Sequence, residues 1–157
     1  MKKIFFTIVV SILIFGCSKK EEVAFILPEG YVGYIIIIYN QEEGEKVKYD
    51  GNTRVYEIPS SGILKTQFSA DYGWSDFPKF YYTNNDSKEI VYFYDFDQIP
   101  SGKIVSYGNT TGTANRDLKG DSTVNFSQHY VGTKEQIKLA IEKANSFDYI
   151  KIADGKD

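Results

Sequence analysis

The chain has very little of the residues that carry most enzyme chemistry. Its 157 residues include one cysteine, one histidine and one tryptophan. A single cysteine excludes an internal disulfide, and one cysteine with one histidine does not provide the spacing of a zinc site. His129 lies in the strand-like run NFSQHYV. A hydrolase that needs a histidine base beside its nucleophile is therefore not favoured.

Several other signatures are also missing from the sequence. It contains no Walker loop, no dinucleotide fingerprint and no Gly-x-Ser-x-Gly elbow. The formal net charge is −3, which argues against nucleic acid and against electrostatic docking on anionic lipid. We therefore expect no catalytic residue, no metal, no cofactor and no nucleic-acid partner, although an enzyme is not excluded.

Aromatic and other apolar residues, in contrast, are plentiful. Hydrophobic residues make up 42% of the chain and aromatic residues 16%, with 13 tyrosines and 11 phenylalanines. This apolar surface is enough to offset the entropy lost on folding. The length allows one domain of ordinary size.

The N-terminus predicts a cleaved targeting segment. Lys2 and Lys3 precede Ile4–Phe15, twelve residues without a charge. That length is typical of a signal-peptide core, whereas a membrane-spanning helix needs about 20 apolar residues. The segment ends in Ile14-Phe15-Gly16-Cys17, which resembles the lipobox of bacterial lipoprotein signal peptides.

The lipobox resemblance implies a lipid anchor at Cys17. The thiol would accept a diacylglyceryl group, and cleavage would follow Gly16. We therefore interpret residues 1–16 as a signal peptide, residues 17–22 as the lipidated cysteine with a polar tether, and residues 23–157 as one β-rich domain. The alternatives are a buried thiol or the flank of an ordinary secretory cleavage site.

The residues after Cys17 indicate where the anchor resides. Ser18 in place of aspartate resembles Gram-negative lipoproteins that leave the inner membrane, and Lys20-Glu21-Glu22 resembles the export signal of surface lipoproteins in the Bacteroidetes. We expect a lipid-anchored protein of the cell envelope, in the outer membrane, facing the periplasm or the outside. The alternative is that these charges only solvate the tether.

From Val23 onward, short β-prone runs alternate with turn residues. Ile35–Ile38 is apolar on both faces and predicts a strand covered on both sides. Asp50-Gly51 and Asn84–Ser87 predict hairpins, and residues 108–122 are interpreted as a loop rich in glycine, threonine and asparagine.

One helix is predicted near residues 133–145. Thr133 and Gln136 form a capping-box pattern, and apolar residues follow at helical spacing. The later run FDYIKI is interpreted as a last strand or a frayed tail. The predicted fold is mainly β, an antiparallel sandwich-like domain with one C-terminal α-helix.

Two motifs resemble an uncharacterised family of bacterial lipoproteins and secreted proteins. Its members carry Pro-Glu-Gly-Tyr-x-Gly-aromatic and then Ile-Pro-x-Ser-Gly-x-Leu-x-Thr. The matching residues here are Pro28, Glu29, Gly30, Tyr31, Gly33, Tyr34, Ile58, Pro59, Ser61, Gly62, Leu64 and Thr66. The resemblance implies a shared β domain and brings no activity with it.

Carboxylates are the remaining candidates for catalysis. Asp95 and Asp97 lie two residues apart, and Asp71 and Asp76 flank Trp74. Such groups could bind calcium or act on a glycan or on cell-wall material. The alternative is that they are solvated acids at the ends of strands.

The aromatic loop and the strand after it offer a binding surface. Tyr72, Trp74, Phe77 and Tyr81 are the candidate ligand-binding residues, since exposed tyrosine and tryptophan can hold a sugar or a peptide. The alternative is that half of these rings point into the core. The sequence therefore favours a binding or interaction module with a glycan or protein ligand; a carboxylate enzyme or a structural envelope subunit remains the alternative.

Overall fold

A computed structural model describes residues 21–72, 77–83, 88–120 and 122–156. In these residues nine strands form two sheets, and two helices follow. The strands are β1 (Glu22–Leu27), β2 (Gly33–Ile38), β3 (Tyr49–Asp50), β4 (Thr53–Glu57), β5 (Ile63–Lys65), β6 (Lys79–Tyr82), β7 (Tyr92–Phe93), β8 (Val105–Asn115) and β9 (Thr123–Gly132). The helices are α1 (Lys134–Ala144) and α2 (Tyr149–Asp154), and a single 3₁₀ turn spans Phe96–Gln98.

Both sheets are mixed, so the prediction of an antiparallel architecture is wrong. The four-stranded sheet has the order β3-β4-β1-β6, and β1 is parallel to both of its neighbours. The five-stranded sheet has the order β5-β2-β9-β8-β7 and contains parallel and antiparallel pairs. The chain crosses between the sheets after β1, β2, β4, β5 and β6. Strands β4 and β6 return beside β1 in the direction of β1, and β5 returns beside β2 in the direction of β2. Parallel pairs of this kind need a crossover connection, which the passage through the other sheet provides.

The two sheets share one core. The ring of Phe25 in β1 stacks between Tyr56 of β4 and Phe80 of β6, with centroid distances of 5.2 and 4.9 Å. From the facing sheet, Ile35 and Ile37 of β2 pack into the same cluster. Phenylalanine and isoleucine at alternate positions thus hold the sheets face to face.

The helices cover the other face of the five-stranded sheet. Ile36 and Ile38 pack there with Ile137 of α1 and Ile152 of α2. All four consecutive isoleucines of β2 are fully buried. The prediction of a strand covered on both sides is therefore confirmed. The predicted capping box is also present, with Thr133 as the N-cap of α1 and Gln136 in its first turn.

The segment predicted as a last strand or a frayed tail is helix α2. The Asp148 side chain accepts hydrogen bonds from the backbone N–H groups of Ile150 and Lys151, and Gly155 ends the helix in the left-handed conformation. The Tyr149 ring stacks on Phe126 of β9 at 3.8 Å. The caps and this ring contact override the strand propensity of the run.

The turns agree with the predictions in part. The Asp50-Gly51 hairpin joins β3 to β4, as predicted. The loop predicted at 108–122 is wrong for its first half, because β8 continues to Asn115 and pairs with β9. Gly112 allows this pairing, since a Cβ atom there would meet the ring of Phe126 at 2.7 Å. The predicted hairpin at 84–87 lies outside the described residues.

Gly62 gives a direct test of the packing between the two sequence motifs. Its φ is +77°, and an added Cβ atom would overlap the backbone oxygen of Tyr34 and the Tyr31 hydroxyl. We expect Gly62→Ala to lower the free energy of unfolding by about 2–4 kcal/mol, measured by urea denaturation.

Gly102→Ala is the matched control. Gly102 has a similar φ of +68°, but a Cβ atom added there would have nothing within 4 Å. The free energy of unfolding of the Gly102→Ala variant should fall by only about 1 kcal/mol, from backbone strain alone. Equal losses for the two variants would contradict the steric role of Gly62.

Candidate functional site

A buried arginine closes one end of the space between the sheets. Arg54 alternates with Val55 along β4 and points inward, and only 8% of it is exposed. Its Nη1 donates to the carbonyl oxygen of Ser69 at 2.9 Å, and its Nη2 lies 2.6 Å from the Glu21 carboxylate. The guanidinium also lies 4.5 Å above the ring of Phe68. This arginine ties the chain just before β1 to the body of the fold.

The charge of Arg54 is held in place by its partners. Burial lowers the pKa of Arg54, but the hydrogen bond to Tyr56 and the charge of Glu21 outweigh that effect, so the net pKa is raised. Its Nε–H is buried and has no hydrogen-bond partner among the described residues. The guanidinium therefore remains a cation under all physiological conditions.

The only histidine is buried near this arginine. The His129 ring lies 4.7 Å from the Phe25 ring, between the sheets. Its Nδ1 is 3.0 Å from the Gly108 carbonyl oxygen, and its Nε2 is 3.2 Å from the Ser127 hydroxyl. Burial lowers the pKa of His129 to about 4. The neutral ring donates to Gly108 and accepts from Ser127, so neither nitrogen is available as a general base.

The pocket between these groups is small. Arg54, Tyr39, Asp71, Pro78 and His129 are among the residues that line it, and its volume is about 40 Å³. That volume holds a few water molecules at most and no sugar ring or peptide residue. A larger ligand has to bind on the surface.

Three aromatic rings form an exposed cluster on that surface. Phe77 stacks on Tyr92 with centroids 4.8 Å apart, and it meets Tyr94 edge to face at 4.1 Å. Tyr92 and Tyr94 also contact each other at 5.3 Å. Despite these contacts, Phe77 is 40% and Tyr94 68% exposed. We call Phe77, Tyr92 and Tyr94 the aromatic cluster.

The structure places the four predicted ligand-binding residues in different surroundings. Phe77 belongs to the aromatic cluster, whereas Trp74 lies outside the described residues. Tyr72 is exposed, with its hydroxyl 3.2 Å from the Thr113 hydroxyl. Tyr81 borders a shallow groove of about 560 Å³ on the outer face of the four-stranded sheet, and its hydroxyl donates to Glu89.

Sequence reasoning missed Tyr92 and Tyr94 as members of a surface cluster. Their spacing of two residues was the available signal, because such residues share one face of an extended segment. Nothing local to the run EIVYFYDF indicates that Phe77 packs on that face. This contact depends on how the segment before β6 passes the start of β7.

The candidate carboxylates do not form one group. Asp95 caps the 3₁₀ turn and accepts a hydrogen bond from the backbone N–H of Asp97. Asp97 lies 3.7 Å from Lys134 at the start of α1, whereas Asp71 lines the small pocket between the sheets. Asp76 lies outside the described residues. Within the described ranges, no three His, Cys, Asp or Glu side chains are placed to hold a metal ion.

Two acidic residues of the predicted tether are part of the fold. Glu21 binds Arg54, and Glu22 opens β1 with its carboxylate 2.9 Å from Lys79. Cys17 and Lys20 lie outside the described residues. In the part of the chain that the structure describes, no helix is long and apolar enough to cross a membrane.

Comparisons with known proteins indicate a family and a fold. The family of unknown function DUF6843 matches residues 19–140. No curated protein matches the chain. A 2.75 Å crystal structure of a candidate lipoprotein from Bacillus anthracis is similar, with 17% sequence identity over 72% of this chain and 71% of that chain, and a TM-score of 0.51. At that identity, the likeness shows a shared fold.

The burial of His129 predicts how stability depends on pH. Its pKa falls from an ordinary value of 6.5 to about 4, so the unfolded chain binds a proton first as the pH drops. The stability that the folded protein gains by keeping His129 neutral is fully present above pH 6.5 and is lost as the pH falls towards 4. Complete loss corresponds to about 3 kcal/mol.

We expect His129→Gln to flatten the slope of stability between pH 5 and about 6.5, a range in which ordinary carboxylates contribute little. Urea denaturation at a series of pH values measures the slope. Because the chain has one histidine, the pKa can also be read from a single imidazole signal by NMR. A measured pKa near 6.5 in the folded protein would contradict the burial.

Proposed function

Since the chain belongs to the family of unknown function DUF6843, we propose on structural grounds that it is a lipid-anchored protein of the bacterial envelope whose β domain is a binding module. The anchor is at Cys17 and is held in the outer membrane. The sandwich-like domain binds a glycan or a protein through the aromatic cluster. The function of the domain does not depend on a catalytic centre.

The anchor rests on the N-terminal pattern. A basic start, an uncharged run of twelve residues and a cysteine after glycine together match the pattern of a lipoprotein signal peptide. The described domain begins at Glu21, only four residues after Cys17. The similar protein from Bacillus anthracis, itself described as a candidate lipoprotein, is consistent with this interpretation.

The aromatic cluster is the observation that carries the binding role. Three rings in mutual contact at the surface leave apolar area in water that burial would stabilise by about 25 cal/mol per Å². Their faces and edges can stack on a sugar ring or an apolar side chain, and the tyrosine hydroxyls can hydrogen-bond to it. The interior pocket offers no competing space.

The two alternative functions have less support. Asp95 caps the 3₁₀ turn, Asp97 pairs with Lys134 at the start of α1, and Asp71 lines the pocket between the sheets. Assembly through a sheet edge would need a long unpaired strand. Three of the four terminal strands have two or three residues, and the fourth, β6, has four. The longest open edge in the described residues is that of β8 from Gly108 to Asn115, beyond the last residue that pairs with β7.

The anchor is tested by acyl labelling. We expect cells that express the chain with an alkyne-tagged fatty acid to label it, and Cys17→Ser to abolish the label and release the protein from the outer-membrane fraction, because the thiol is the acylation site. Ser18→Ala, one residue away, is the matched control and should keep both the fatty-acid label and the association with the outer membrane. A labelled Cys17→Ser protein would contradict the assignment.

The binding surface is tested with soluble sugars. Using the Cys17→Ser chain, we expect an N-acetylglucosamine hexamer or a glucose hexamer to shift the NMR signals of Phe77 and Tyr94. Phe77→Ala and Tyr94→Ala should each weaken binding about tenfold, because each removes a stacking ring.

Tyr81→Ala and Leu139→Ala are the controls for this experiment. Tyr81 tests the groove on the four-stranded sheet, and Leu139 is an exposed apolar residue on α1. A loss of binding in Tyr81→Ala alone would move the site to the groove. Sugar binding that survives the loss of both cluster rings would contradict the aromatic assignment.

A further inference from the structure

The hairpin formed by β8 and β9 projects past the start of β1. β9 runs from Thr123 to Gly132, and its Val131 pairs with Gly33, the first residue of β2. Only five residues join the end of β1 to Gly33, so Val131 lies at the end of the fold where β1 finishes. The opposite end of β9 therefore lies where β1 begins.

The length of this projection follows from the strand register. Thr111 lines the same small pocket as Val23, near the start of β1, and pairs with Ser127. Beyond that pair, four more pairs continue to Asn115 and Thr123. Four residues of strand advance about 13 Å. The tip of the hairpin, residues 116–120, thus extends well beyond the first residue of β1.

The tip is held in a defined conformation. The Asp117 carboxylate accepts hydrogen bonds from the backbone N–H groups of Lys119 and Gly120, at 2.9 and 2.7 Å. Arg116 forms an ion pair with Asp154 at the end of α2. Between these fixed residues, the Leu118 side chain is fully exposed.

The chain leaves the domain close to the same end. Glu21 is held by the buried Arg54, which leaves three residues between it and Cys17. The four steps along the chain from Cys17 to Glu21 span at most about 14 Å in any conformation. An anchor at Cys17 therefore cannot hold the domain much farther from the bilayer than the hairpin itself projects.

From this geometry we propose that the hairpin tip touches the membrane that carries the anchor, with Leu118 in the lipid headgroup region. The proposal rests on the proposed lipidation of Cys17. Single exposed leucines are common on protein surfaces, and Leu139 on α1 is one in this chain. Leu118 differs from Leu139 because it lies at the tip of the hairpin, which projects past the start of β1 at the end of the fold nearest to Cys17. The contact is apolar, so the negative net charge of the chain does not oppose it.

Membrane contact can be measured on the lipidated full-length product purified from cell membranes. Cys17 is consumed by the lipid, so a cysteine introduced at Ser122 is the only thiol and accepts a maleimide dye. In phosphatidylcholine vesicles, we expect spin-labelled headgroups to quench this dye strongly. The same dye at Glu29, in the turn at the opposite end of β1, should be quenched little.

Substitution of the leucine tests its role without moving the dye. Leu118→Asp should reduce the quenching at position 122 by at least half, because a carboxylate is disfavoured in the interface. Leu139→Asp, the same change on α1, should leave it unaltered. Circular dichroism is used to check that both variants are folded.

The outcomes separate the two proposals. A lipidated chain with equal quenching at positions 122 and 29, or with no effect of Leu118→Asp, overturns the hairpin contact and leaves the anchor intact. An N-terminal peptide whose mass shows no lipid overturns the anchor, and the contact with it. Strong quenching at position 122 that Leu118→Asp reduces supports the contact.

Discussion

Four consecutive isoleucines in β2 determine the layers of this protein. Side chains alternate across a strand, so Ile35 and Ile37 need apolar cover on one face, and Ile36 and Ile38 need it on the other. The four-stranded sheet provides the first cover and the two helices provide the second. A sheet with one face exposed to solvent would leave two of these isoleucines in water. The other elements are therefore arranged so that both faces of β2 are covered.

The two sheets grow together along the chain. Between β1 and β7 the chain passes five times from one sheet to the other, so that each sheet grows while the core between them closes. Strands β4 and β6 return beside β1 in a parallel direction, whereas β9 returns beside β2 antiparallel. The short strands at most sheet edges offer little backbone to a second chain, and β8 beyond Tyr107 is the longest open stretch in the described residues.

The polar groups between the sheets stabilise this arrangement. Arg54 is buried with hydrogen bonds from its terminal nitrogen, both ring nitrogens of His129 have a hydrogen-bond partner, and the cavity beside these residues has room for little more than water. Chemistry on a substrate is not favoured there. At the surface, three features lie on different elements: the aromatic cluster, the hairpin tip and the start of the described chain at Glu21. The ion pair of Glu21 with Arg54 links the segment before β1 to the body of the domain.

Local patterns were sufficient where the physical cause was local. The capping box of α1, the Asp50-Gly51 turn and the covered strand β2 each depend on residues within a few positions of one another. Helix α2 also had local signals in Asp148 and Gly155, but the strand propensity of FDYIKI concealed them. The continuation of β8 through a run rich in glycine and threonine depends on pairing with β9, which is distant from any local pattern. Gly112 is accommodated in this strand because the ring of Phe126 in β9 covers it.

By itself, the sequence determined a mainly β fold with a helix near the C-terminus and a lipobox-like pattern at the N-terminus, because propensity, hydrophobic periodicity and targeting patterns are short-range properties. Only the tertiary structure decided the mixed sheets, the burial of Arg54 and His129, and the partnership of Phe77 with Tyr92 and Tyr94. These depend on contacts between residues far apart in the chain. Strand direction and the exposure of a given ring are set by the partner across the sheet or across the core, which no local pattern specifies.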